Sequence, residues 1–255
     1  MGDTECPACG DSYERLAQHW AMSADCSYPP LDRRRHEILS GLLMGDATVH
    51  NPPSAANPRM EVHSVNSRFL EWIDEQLAWL SNTVTLRRTS DEIREANRSS
   101  ALERFASVDY EIRDQYLLTT RRHTELNRYA EWYTEEQKRF PEDLRLQPIT
   151  LKLWYVCDGN LLWGTKGHTR PQVWISAYNE KDRKAFVRGL FDPTPITPTF
   201  HEGRLMLTSD ETEWFFEYVG EPVPGFEYKF ETGSKEMYEE LKEAFYRRHT
   251  TTNAA

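Results

Sequence analysis

Leu39-Ser40-Gly41-Leu42-Leu43-Met44-Gly45-Asp46-Ala47 reads as the last turns of a helix that ends on an acid. A second stretch, Leu151-Lys152-Leu153-Trp154-Tyr155-Val156-Cys157-Asp158-Gly159, has the same frame. Each is apolar almost throughout, with a lone Asp next to last. The C-terminal end of a helix carries partial negative charge, so a carboxylate there costs about 0.3–1 kcal/mol unless something cationic offsets it. Two such ends suggest two carboxylates brought side by side around a metal ion. A hard cation such as Mg²⁺ takes oxygen ligands, often only one or two protein carboxylates plus phosphate oxygens.

Outward from this pair the chain repeats itself. Asp32 is placed to cap the first motif helix, and Ile38, Leu39, Leu42 and Leu43 form one stripe at helical spacing. Gly41 and Gly45 lie four apart, so another helix can approach along that side. Residues 47–66 read as two strands around a Pro- and Asn-rich loop. Ser67 opens an amphipathic helix through Leu80, and 83–89 is a β-rich run. Residues 90–107 read as an extended loop or hairpin excursion, 110–120 as a strand, and 123–139 as a helix. Pro148 opens the second motif helix, a favoured first-turn position. Strands at 161–163 and 173–178, a helix at 180–191, a hairpin of 196–200 with 204–208, and a helix at 209–219 follow. Helix–strand–strand–helix–strand–strand–helix thus occurs twice. A charged amphipathic helix is expected after Lys235, then a frayed tail.

Residues 1–30 stand apart. Cys6, Cys9, His19 and Cys26 have the spacing C-x2-C-x9-H-x6-C, which suits a tetrahedral Cys₃His zinc site. A segment this short has no core to stabilise it without a metal. The spacing leaves open whether the segment touches a partner or braces the N-terminus.

Length and charge bound the rest. The chain of 255 residues can hold one large or two small cores. No run reaches the ~18 apolar residues of a membrane span, and no signal-peptide pattern opens it, so a cytoplasmic protein is expected. The net charge of −10 argues against nucleic acid when taken alone. Arg, however, outnumbers Lys by 23 to 8 beside abundant Asp and Glu, a balance that suggests a high-salt, halophilic cytoplasm.

The twin stretches resemble the paired motif of the LAGLIDADG homing endonucleases, in the single-chain form that carries both copies. The frames align without gaps. Asp114–Thr120, Pro141–Leu144, Trp154-Tyr155 and Tyr228-Lys229-Phe230 also match, so the resemblance covers roughly residues 31–233. It implies an α+β fold, a tandem duplicated αββαββα unit. Its two antiparallel sheets form a DNA-binding saddle, and a small N-terminal zinc knuckle is added. The expected divisions are a zinc-finger-like segment (1–30), a first half (31–140), a second half (141–233) and a C-terminal helix and tail (234–255).

Carried over residue by residue, the resemblance makes Asp46 and Asp158 ligands of Mg²⁺ or Mn²⁺, with the Gly45 and Cys157 carbonyls as candidate further ligands. Lys229 matches the basic residue placed near the cut site, and Arg122 is the first-half candidate for the same role. Strand alternation puts Val173 and Ile175 toward the core and Gln172, Trp174 and Ser176 toward double-stranded DNA. Arg87, Arg88, Arg113, Gln115 and Arg204 are similar candidates. Ala47 stands where Gly is usual, and Ala tolerates a left-handed helix exit poorly. Met44 stands at a position that can carry a second acid. Leu153 replaces a small residue, with Gly41 opposite to accommodate it.

The implied function is a site-specific, metal-dependent double-stranded DNA endonuclease, acting as a pseudo-twofold monomer on a long asymmetric target. Relatives that lost cleavage serve as RNA-splicing maturases or transcription regulators, and that is the alternative reading. The retained acid pair favours the enzyme. An acidic, zinc-containing structural protein would leave the duplicated Asp-ended helices unexplained.

Overall fold

The computed structural model describes residues 3–99, 112–134, 137–164 and 170–248. Strands β1 (Thr4–Glu5) and β2 (Ser12–Tyr13) and a short helix α1 (Leu16–Met22) form an N-terminal module. Its interior is small: Cys6, Leu16, Trp20 and Cys26, with Tyr13, Tyr28 and Trp79 packed against them.

The first motif lies on α2 (Arg33–Met44). Asp32 caps it by accepting the Arg35 amide at 2.8 Å, satisfying one of the donors a helix start leaves unpaired. Then come β3 (Thr48–His50), β4 (Arg59–Ser64), α3 (Ser67–Leu77), β5 (Thr85–Arg88), α4 (Ser90–Ser99), β6 (Gln115–Thr119) and α5 (Asn127–Ala130). The second motif lies on α6 (Pro148–Asp158), with Pro148 in its first turn. It leads into β7 (Gly159–Leu162), β8 (Gln172–Ser176), α7 (Lys184–Gly189), β9 (Thr199–His201), β10 (Arg204–Met206) and α8 (Ser209–Val219). A last helix, α9 (Lys235–Arg248), packs through Tyr238 and Phe245 against Tyr228, and through Phe245 against Phe226.

The halves form two antiparallel sheets of four strands, ordered β3-β4-β6-β5 and β7-β8-β10-β9. Both follow the order first, second, fourth, third. The tandem α+β duplication expected from the sequence is therefore the observed architecture.

The two motif helices pack along their length. Thr150 Oγ1 donates to Glu37 O at 3.0 Å, Gly41 faces Thr150 and Leu153, and Gly45 faces Cys157. Positions 37, 41 and 45 meet 150, 153 and 157 in rising order, so the helices run parallel and finish side by side. A Cβ on Gly41 would lie 2.6 Å from Thr150 O and 2.9 Å from Leu153 Cβ. Close approach is thus what requires glycine here, and it is how the bulky Leu153 is accommodated. One apolar core surrounds the pair, drawing Leu42 and Leu43 from α2, Leu151 and Trp154 from α6, Val62 and Leu118 from the first sheet, and Val173 and Leu205 from the second.

Four expectations change. Residues 90–99 are helical rather than an extended excursion. The Thr89 amide donates to Glu92 Oε2 at 2.7 Å and the Glu92 amide to Thr89 Oγ1 at 3.2 Å, a reciprocal cap that starts the helix. The remainder of that stretch and the start of the following strand lie outside the described residues. The helix expected over 123–139 stops at Ala130, because the chain turns back to pair Tyr133 with Lys138. The helix expected from Glu180 starts at Lys184. Glu180 is fully buried and accepts the Phe140 amide at 2.7 Å and Arg183 Nη1 at 2.8 Å, which holds that turn inward. Finally, neither Ala47 nor Gly159 has a positive φ, so Ala47 carries no penalty for lacking glycine's freedom. Gly159 is glycine because a Cβ there would meet the Tyr155 ring at 2.2 Å.

No helix among the described residues is long and apolar enough to cross a membrane.

Candidate active site and nucleic-acid interface

Parallel packing brings Asp46 and Asp158 together at the shared end of α2 and α6. Asp46 lies in the turn after α2, and Asp158 is the last, half-buried residue of α6. Loss of solvent raises both carboxyls above their ordinary range, and the Asp46 charge raises Asp158 further, to about 6. Among the described residues neither carboxylate makes a hydrogen bond or ion pair with a side chain.

Two lysines frame the acids. Lys138 Nζ donates to Gly45 O at 2.8 Å and Ala47 O at 3.3 Å. Lys229 Nζ donates to Val156 O and Gly159 O, each at 2.7 Å. These carbonyls belong to helix ends, where the last turn leaves acceptors unpaired and partial negative charge accumulates. Each ammonium thus caps a helix and adds positive charge beside its acid. Lys229 is only 8% exposed, and burial brings it down to about 8, with the nearby Cys157, Asp46 and Asp158 opposing the shift. Burial lowers Lys138 as well. The Tyr155 hydroxyl, donating to Lys229 O at 2.5 Å, fixes the backbone that carries Lys229.

Arg122 is not part of this group. It donates through Nη1 to Asn57 O at 2.7 Å, near the N-terminal module. Lys138 holds the place that sequence reading gave to Arg122. The repeat itself carried the signal: Lys229 follows the last helix of its half, so its counterpart follows α5 rather than β6. Of the candidate carbonyl ligands, Gly45 O already accepts Lys138. The Cys157 thiol is pushed up to about 12, by burial first and then by Asp46, so it is not a thiolate donor.

The outer faces of the sheets follow strand alternation. Val173 and Ile175 are buried, while Gln172 and Trp174 are half-buried and Ser176 is exposed on the other face. Arg204 pairs with Ser176 across the ladder and sits 6.0 Å from the centre of the Trp174 ring. The Trp174 indole nitrogen has no hydrogen-bond partner among the described residues. On the first sheet, Gln115 lies in register with Arg88, and Arg87 Nη1 contacts the His63 ring at 2.9 Å. Arg113 departs from the set: its guanidinium stacks 4.1 Å from the Tyr246 ring centre, against α9.

The N-terminal module gathers Cys6, Cys9, His19 and Cys26 so that one ligand atom from each lies within 4.8 Å of the others. Cys6 and Cys26 sulfurs are 3.4 Å apart, and Cys9 Sγ lies 3.6 Å from His19 Nε2. Burial pushes the Cys6 thiol up, but donation from Trp20 and from the Cys9 and Ala8 amides outweighs it and brings the thiol down to about 6. Zn–S bonds of about 2.3 Å in a tetrahedron fit a set this compact.

The sequence profile of the LAGLIDADG DNA endonuclease family matches residues 36–193. No curated protein matches the chain. Among solved structures, the homing endonuclease I-WcaI bound to its DNA recognition sequence superposes with a TM-score of 0.64 at 14% identity, covering 81% of this chain and 90% of that one. I-DmoI in complex with DNA and Mn gives a TM-score of 0.39 at 14% identity, covering 73% and 97%.

Proposed function

Because this chain belongs to the LAGLIDADG DNA endonuclease family, we propose that it is a site-specific double-stranded DNA endonuclease of the homing type, cutting a long asymmetric target as a monomer. One observation carries the reading. Two carboxylates converge at parallel helix ends, the Asp46 charge raises the proton affinity of Asp158, and neither acid makes a hydrogen bond or ion pair with a side chain among the described residues. That donor set fits a hard divalent cation, Mg²⁺ or Mn²⁺, which Asp46 and Asp158 would hold, with the Cys157 carbonyl as a candidate further oxygen. Such an ion supplies Lewis-acid polarisation of a phosphoryl oxygen and a more acidic bound water.

The chain's own residues do the rest. Lys138 and Lys229 are held by helix-end carbonyls, so their charge is fixed in place before substrate arrives. Charge preorganised where negative charge develops stabilises a phosphoryl-transfer transition state without reorganisation. Lys229, down to about 8, also gives up a proton more readily than an ordinary lysine. The outer faces, with Arg87, Arg88, Gln115, Gln172, Trp174, Ser176 and Arg204, suit a major groove, where each base pair shows its own donor and acceptor pattern. Cys6, Cys9, His19 and Cys26 would hold a structural Zn²⁺, a reading supported by how closely their ligand atoms gather. The acidic, Arg-rich composition suits a nucleoid in a salty cytoplasm.

The test is selection of cleaved duplexes from a randomised library in high KCl with Mg²⁺, comparing the unaltered chain with Asp46→Asn and Asp158→Asn. One enriched cut site, lost in both variants while binding remains, supports the proposal. Discrete binding without cleavage in Mg²⁺ or Mn²⁺ makes the chain a non-cleaving binder on this scaffold.

A further inference from the structure

The sheet face does not end at its last strand. Where β4 begins and β6 ends, a groove of about 230 Å³ runs between the first sheet and α1 of the N-terminal module. Arg15, Arg59, Arg121 and Arg122 line it, with Glu14 as the one acid among its lining residues. In a chain with a net charge of −10, four arginines gathered around one carboxylate are a local reversal of sign.

Their partners show which charges remain available. Arg59 is paired with Glu61 at 2.6 Å. Arg121 donates to Ser81 O and to Thr4 Oγ1, and Arg122 to Asn57 O, all uncharged acceptors. Arg15 is exposed, and its side chain makes no hydrogen bond or ion pair among the described residues. Three guanidinium charges therefore lack a neutralising carboxylate within hydrogen-bond distance.

The module is also held in a fixed relation to the sheet. Trp20 and Tyr28 pack edge-on against His123, which lies two residues after Arg121, and Trp20 packs edge-on against Trp79. His123 Nε2 contacts Pro29 O at 2.9 Å. Arg15 thus reaches the groove from a braced element rather than from a loose tail. Phosphate contacts of this kind set position and register without reading bases.

We propose that the N-terminal module extends the DNA interface past the first half. Arg15, Arg121 and Arg122, with Arg59 at the junction, would grip the phosphate backbone flanking that half-site and make the footprint asymmetric. This rests on the DNA-binding reading above.

The experiment uses the full chain, and a duplex enriched by binding selection from a randomised library. Affinity is measured against salt for that duplex and for versions trimmed stepwise from either end. The variants are Arg15→Glu, whose side chain has no partner to lose, and the double Arg15→Glu/Arg122→Ala. Each lost phosphate contact lowers the slope of log K against log salt by about 0.9. Arg15→Glu is expected to weaken binding about tenfold and reduce the slope by about 1. Trimming the first-half end should weaken the unaltered chain alike and erase its difference from the variants, while trimming the other end should leave that difference intact. Equal affinities and slopes for all proteins on the untrimmed duplex would overturn the extension while leaving DNA binding in place. Failure to enrich or bind any duplex would overturn both readings.

Discussion

Lys138 and Lys229 make the same contact in opposite halves: each ammonium donates to the carbonyl of the residue just after the motif acid, Ala47 O at 3.3 Å and Gly159 O at 2.7 Å. The equivalence holds although one lysine comes from a β-bridged turn and the other from a 3₁₀ turn. Helix-end charge selects an ammonium there, whatever backbone delivers it. Replacing either lysine by Met should reduce single-turnover cleavage of a saturated target by at least about 100-fold, of the order seen when one preorganised charge-stabilising group is removed. Gel-shift affinity should change much less. A pair of variants that cut at the normal rate would remove the lysines from the chemistry.

The acid pair predicts a metal-linked pH response. Asp158 holds its proton up to about 6 in the folded state, whereas an unfolded Asp releases it near 3.9. Between these values the folded chain binds more protons than the unfolded one, so stability of the metal-free protein falls as pH rises through about 4 to 6. Asp158→Asn should abolish that contribution and stabilise the metal-free protein at pH 7 by about 1–3 kcal/mol, since one pKa unit is worth about 1.4 kcal/mol. Mg²⁺ should stabilise the unaltered chain above pH 6 more than below it, and the variant little at either pH. Denaturant melts with and without EDTA measure both effects, and a variant no more stable than its parent at pH 7 would contradict them.

Gly45 and Cys157 set how closely the acids approach. A Cβ on Gly45 would sit 2.3 Å from Cys157 Cβ, closer than two such atoms can stay. Gly45→Ala should therefore spread the helix ends and destabilise the fold by about 1–3 kcal/mol, the usual range for overpacking. Cleavage should suffer as well, because the acids would no longer converge. Cys157→Gly in the same chain removes the opposing Cβ, so the double variant should recover more than the sum of the single effects allows. Thermal melts and cleavage rates of the four proteins form the cycle. Strict additivity would show that the two residues do not meet.

Much of this geometry was legible in the sequence because it depends on residue types at fixed spacings. The duplicated frame ending on Asp46 and Asp158 announced two helix ends brought side by side, and Gly41 and Gly45 announced a close helix contact. Alternation placed Val173 and Ile175 inward. What escaped depended on tertiary contacts. Lys138 reaches its helix end only because the chain folds back at Tyr133, a turn masked by the helical look of Leu126, Tyr129 and Trp132. Arg113 falls within the strand expected over 110–120, where alternation turns it outward with Gln115, yet the rings of α9 draw it away from the sheet. The helix at Ser90 was a local omission: Thr89 and Glu92 have the spacing of a capping box, hidden by the charge of the residues after them.

The Cys₃His cluster makes a prediction independent of nuclease activity. The module has few buried side chains of its own, so without an ion in the cluster it should lose order while both halves keep theirs, since their buried core shares only the flanking Trp79 with it. Metal analysis of the purified chain should find about one Zn²⁺ per molecule, the stoichiometry of a four-ligand structural site. Removing it with a strong chelator should make Cys6, Cys9 and Cys26 reactive toward a thiol reagent at pH 7. Cys157 should stay unreactive until the protein unfolds, because its thiol is held near 12 in the native structure. Cys26→Ser should lower zinc content and shift the fluorescence of Trp20, which packs within this cluster, without lowering the main thermal transition by more than a few degrees. A fall of that transition comparable to global unfolding would mean that the module and the first half form one cooperative unit, joined through Trp20, Trp79 and His123.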